Sequence, residues 1–104
     1  MTALKKNNCK QQLRDQCKHI AETISTPLED VHEWMNDVYD IEWITFNDHS
    51  YKAARLMVAG GGPTIWVNTQ DGTVDGDRGT DKLHWPYTDN IGLDDYLEEL
   101  HASK

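Results

Sequence analysis

A chain of 104 residues, 38% hydrophobic and 27% charged, has room for one domain with a small core, and its four Trp and four Tyr argue against disorder. Eighteen Asp and Glu against ten Lys and Arg give a formal charge of -8, which excludes gripping nucleic acid or an anionic membrane by counterion release. Apolar runs such as Leu56–Ala59 fall far short of a bilayer span and residues 1–10 lack a signal-peptide core, so a cytoplasmic protein with a single domain over 1–104 is expected.

From Leu4 to Ile24 the apolar residues Cys9, Leu13, Cys17, Ile20 and Ile24 recur at steps of three and four, the period of one helix face. Cys9 and Cys17 on such a helix stand about 12 Å apart, beyond disulfide reach, and are expected to be reduced core thiols. Ser25-Thr26-Pro27 interrupts the pattern, and Thr26-Pro27-Leu28-Glu29 reads as a capping box that starts a second helix. Leu28, Val31, Met35 and Val38 carry that helix to about Tyr39, which makes the first forty residues an αα-hairpin.

The period then changes. Ile41–Phe46, Tyr51–Ala59, Thr64–Thr69, Thr73–Asp75 and Lys82–Trp85 are short runs rich in β-branched and aromatic residues. Between them stand turn formers: Asn47-Asp48-His49-Ser50, Gly60 to Gly62 with Pro63, and Asp71-Gly72. Connections so short exclude parallel crossovers and predict an antiparallel meander of four to five strands. In the third strand, alternation places Ile65 and Val67 on one face and Trp66 on the other. Asp89 or Asn90 then caps a C-terminal helix whose Leu93, Tyr96, Leu97 and Leu100 form its apolar stripe. The predicted class is α+β, with helices over one face of the sheet.

Chemistry-bearing patterns are weak. Asp71, Thr73, Asp75 and Gly76 match the early positions of a calcium loop, but Lys82 stands where its bidentate Glu belongs and the flanks read as strands. A hairpin with a second turn explains the stretch better, with a cation site as the minor alternative. The five histidines lack zinc spacing, and His32-Glu33 has Asn36 where a metalloprotease helix needs its second His. The glycines at 60–62 precede a strand, so no helix N-terminus faces a phosphate. His84 with Asp81 or Asp75 makes an acid–base pair on paper but lacks a nucleophile and an oxyanion donor. No catalytic residue, metal ligand or cofactor is therefore assigned.

Charge distribution is more informative. Residues 1–26 hold five cations and two anions, while residues 27–104 hold five cations and sixteen anions. On the second predicted helix Glu29, Glu33 and Asp37 stand at i, i+4 and i+8, thickened by Asp30, Asp40 and Glu42, and Asp94, Asp95, Glu98 and Glu99 form a second cluster. Carboxylates about 6 Å apart approximate the charge spacing of a nucleic-acid backbone, so a basic protein groove is the expected partner. The predicted contact residues are Glu29, Glu33, Asp37, Asp40, Trp66, Asp75 and Asp77, with Trp43, Trp66 and Trp85 as candidate aromatic anchors. Two readings compete with this one: neutralisation of the acidic stripe by Lys10, Arg14 and Lys18 of the first helix, and a general protein–protein interaction module or homodimer that uses the sheet face around Trp66.

Three stretches, Leu28–Glu42, Val58–Thr69 and Asp94–Leu100, together resemble small acidic proteins of bacterial phages, plasmids and other mobile elements. Where such proteins would carry bulky aromatics this chain has Asp77-Arg78-Gly79. The resemblance implies an inhibitor of host defence, of anti-CRISPR or antirestriction type, that acts by imitating DNA.

Overall fold

The computed structural model describes residues 2–27 and 30–103, with side chains from residue 11 onward. Its elements run α1 (Thr2–Ser25), α2 (Val31–Met35), β1 (Asp40–Thr45), β2 (Tyr51–Ala59), β3 (Thr64–Asn68), β4 (Thr73–Arg78), β5 (Asp81–Pro86) and α3 (Leu93–Ala102). The strands lie in the order β1-β2-β3-β4-β5 with every neighbouring pair antiparallel, so the fold is α+β with a five-stranded meander. None of the described helices is long and apolar enough to cross a membrane.

Alternation along the strands makes the sheet two-faced. Leu56, Ile65, Val67 and Val74 are fully buried on one face, and α1 lays Leu13, Cys17, Ala21 and Ile24 over it while α3 adds Leu93 and Leu97. Each such aliphatic side chain contributes roughly 1.5–3 kcal/mol by leaving water, and these terms hold the helices to the sheet. Within β3 the expected alternation holds, with Ile65 and Val67 inside and Trp66 half-buried on the opposite face.

The α1–α2 joint differs from the expected capping box. Thr26 Oγ1 donates to the Glu22 carbonyl (2.7 Å) and so still closes α1. Asp30 is the cap of α2, its carboxylate accepting the His32 N–H (2.9 Å). That helix stops at Met35 instead of running to Tyr39. Asn36 and Asp37 are turn formers, and Tyr39 N–H donates to the Met57 carbonyl (2.8 Å), so β2 captures the backbone before another helical turn can form. Leu28 and Glu29 lie outside the described residues.

The stretch Asp71–Asp81 is a turn, the strand β4 and a second turn. Gly76 sits in mid-strand, where a calcium loop would need it at a sharp bend, and the described residues hold no cluster of three or more metal-ligating side chains. The register continues through Asp77↔Lys82 to Arg78↔Asp81 and so extends both predicted strands toward the Gly79 turn. At the other end of the domain, Asp89 accepts the N–H groups of Leu93 and Asp94 (both 2.9 Å) to start α3. Asn90 instead ties this loop to α1, donating through Nδ2 to the Ser25 carbonyl (2.7 Å).

Candidate acidic interface

The two short helical segments share one surface. The His32 ring of α2 meets Tyr96 of α3 edge-on at 5.0 Å, and a recess of about 400 Å³ between them is bordered by Val31, Asp95 and Glu99. Asp30, Glu33 and Asp37 are exposed on the α2 side, and Asp94, Asp95, Glu98 and Glu99 are exposed on α3. Asp94 accepts the Tyr51 hydroxyl (2.6 Å), which fastens α3 to β2. Burial, together with that carboxylate, pushes the phenol well above its ordinary range.

Among the described residues, no cation lies within ion-pair distance of Asp30, Glu33, Asp37, Asp95, Glu98 or Glu99. Several of the described cations are engaged elsewhere. Lys18 faces Glu22 one turn along α1 (4.0 Å), Arg14 lies over Trp85 (5.5 Å) and Lys52 over Phe46 (5.6 Å). Helix α1 therefore does not quench α2 through Arg14 or Lys18, while the side chain of Lys10 lies outside the described residues. The negative surface is left to interact with solvent or a partner.

The predicted contact residues fall into separate groups. Glu33 and Asp37 line one recess but are not successive turns of a helix, because α2 ends between them. Asp40 opens β1, and its carboxylate accepts the N–H of Ile41 (2.9 Å), capping that donor. The register Asp40↔Met57, Met57↔Trp66, Trp66↔Asp75 and Asp75↔His84 puts Asp40, Trp66 and Asp75 in one row across the sheet, with Asp77 next to it opposite Lys82. Glu29 falls outside the described residues.

Two carboxylates of this open sheet face, Glu42 and Asp75, have partners on the face itself. Arg55 bonds Glu42 (2.7 Å) and stacks over Trp66 (4.5 Å). Asp75 accepts the Thr73 hydroxyl (2.7 Å) and lies 2.8 Å from His84 Nδ1. Burial pushes the Asp75 carboxyl up, but the hydrogen bonds from His84 and Thr73, the charge of His84 and the Asn68 amide outweigh it and hold it below the usual carboxylate range. Trp43 and Trp85 belong to the helix-covered side, half-buried against the core.

The contribution of α3 to the acidic surface had a signal in the sequence, since no Lys or Arg occurs from residue 83 to residue 103. The exposure of Tyr39 had none, because it depends on where α2 stops. No protein-family model, curated protein or solved structure matches this chain, so its function is read from its own surface.

Proposed function

We propose that this protein is a non-enzymatic acidic inhibitor whose α2–α3 surface occupies the basic groove of a nucleic-acid-binding protein, such as a host nuclease of the CRISPR or restriction type. The observation that carries this reading is the set of exposed carboxylates, Asp30, Glu33, Asp37, Asp95, Glu98 and Glu99, with no cation at ion-pair distance among the described residues. Successive exposed residues on α3 present charge at the spacing of helical turns, and a field of one sign speeds encounter with a cationic cleft.

The experiment is competition between this protein and duplex DNA for a guide-loaded CRISPR nuclease and for a restriction endonuclease. Binding that displaces DNA, weakens steeply from about 50 to about 200 mM salt and is lost in the Asp95→Lys/Glu98→Lys/Glu99→Lys variant supports the proposal. Binding indifferent to salt and to those reversals overturns it. A second reading, a homodimer through the open sheet face, is favoured by the position of Trp66 and Met57 on the side opposite α1 and α3. Concentration-dependent size in solution that disappears on Trp66→Ala would select it.

A further inference from the structure

A recess of about 740 Å³ opens between α1, α2 and the end of β2, with Glu33, Asp37, Trp34, Tyr39 and His19 on its walls. Trp34 is almost fully buried and forms part of the core, so that side of the recess is fixed. Tyr39 is 73% exposed and is one of only two large hydrophobic side chains so displayed among the described residues. The other is Phe46, and Lys52 lies over its ring.

Among the described residues, the rings of Phe46, Trp66 and Trp85 each carry a cation of the same chain. At Trp66 the arrangement is complete: the Arg55 guanidinium lies over the ring at 4.5 Å and at the same time bonds the Glu42 carboxylate at 2.7 Å. The recess holds the same two components without the third. Tyr39 has no cation over its ring among the described residues, and Glu33 and Asp37 have no ion-pair partner there. The backbone that carries two of these components is also held in place beforehand: Asp37 N–H donates to the Trp34 carbonyl (3.3 Å), Val38 N–H to that of Met35 (3.1 Å) and Tyr39 N–H to that of Met57 (2.8 Å). A backbone ordered in advance loses less freedom on binding.

We propose that this recess receives an arginine side chain of a protein partner, with the guanidinium stacked on Tyr39 and bonded to Glu33 and Asp37. Arginine fits better than lysine because its flat, weakly hydrated fork can stack and donate to two carboxylates together. The inference deepens the acidic-inhibitor reading by naming the group that reads the partner's basic groove, and it rests on that reading for its biological setting.

The test is titration of the isotope-labelled 104-residue chain with a tri-arginine peptide, followed by amide chemical shifts, with tri-lysine as comparison. Saturable shifts at residues 19–23, 33–39 and 58 are expected, with tri-lysine severalfold weaker. The conservative Glu33→Gln/Asp37→Asn variant should weaken tri-arginine about tenfold, Tyr39→Ala about threefold, and Asp95→Asn/Glu98→Gln/Glu99→Gln should leave the recess shifts unchanged. Shifts that favour α3, equal affinity for tri-lysine, or indifference to Glu33→Gln/Asp37→Asn would overturn the inference. Failure of the nuclease competition with recess binding intact sinks the inhibitor reading alone, and the converse result sinks the arginine site alone.

Discussion

Gly76 of β4 lies directly against Cys17 of α1: a Cβ on Gly76 would stand 2.6 Å from the Cys17 sulfur and 2.9 Å from Cδ1 of Leu13. Both helix residues are fully buried, so neither can swing aside into solvent. The glycine is needed for space, since its backbone is not in the left-handed region. Its missing side chain lets α1 settle onto the sheet.

Gly76→Ala should therefore destabilise the protein by about 1–3 kcal/mol, the ordinary range for overpacking a core, measured as a drop in urea midpoint at constant slope. In that background Cys17→Ala should recover part of the loss, giving a favourable coupling in a double-mutant cycle. A Gly76→Ala protein as stable as the parent would show that α1 does not sit where the contact places it.

Cys17 should be inert while the protein is folded. Burial pushes its thiol up to about 11, and the negative charge of Asp75 adds to the shift. With Cys9→Ser to remove the second thiol, alkylation at neutral pH should be at least about a hundredfold slower in the native state than in denaturant. Fast native labelling would place the thiol at the surface.

The Asp75–His84 pair predicts an acid dependence. The Asp75 carboxyl is held below its ordinary range in the folded protein, so its contribution to stability is full above the unfolded value and is lost as pH falls through the folded one. Asp75→Asn should cost about 1 kcal/mol at neutral pH and flatten the stability profile below about pH 4, measured by denaturation at a series of pH values. An unchanged acid limb would mean that another carboxylate governs it.

Asp89 predicts a capping loss. Its two oxygens accept two N–H groups at the start of α3, which has Gly92 with φ 74 at its formal cap and no side-chain bond there. Asp89→Ala should cost about 1–2 kcal/mol, and hydrogen exchange should quicken first at Leu93 and Asp94. Uniform exchange across α3 would show that packing of Leu93 and Leu97 alone sets the helix start.

Local chemistry made most of the fold legible. The period of three and four in α1, the alternation in β3, Asp71-Gly72 as a hairpin turn and the apolar spacing of α3 are all properties of neighbouring residues, and each appears in the structure. The α1–α2 joint was less legible, because Thr26 has two uses for its hydroxyl. It can cap a following helix or bond back to the preceding one, and the Glu22 carbonyl takes it.

The sequence by itself determined the excess of negative charge, its concentration after residue 26 and the two-faced sheet, because composition and periodicity need no knowledge of distant contacts. Tertiary structure decided which carboxylates remain unpaired. Arg55 reaches Glu42 across a strand pair and Lys18 stays beside Glu22, while α2 ends early because β2 holds Tyr39. Pairing between residues distant along the chain depends on packing geometry, and that geometry left Glu33, Asp37 and Tyr39 together without a cation of their own among the described residues.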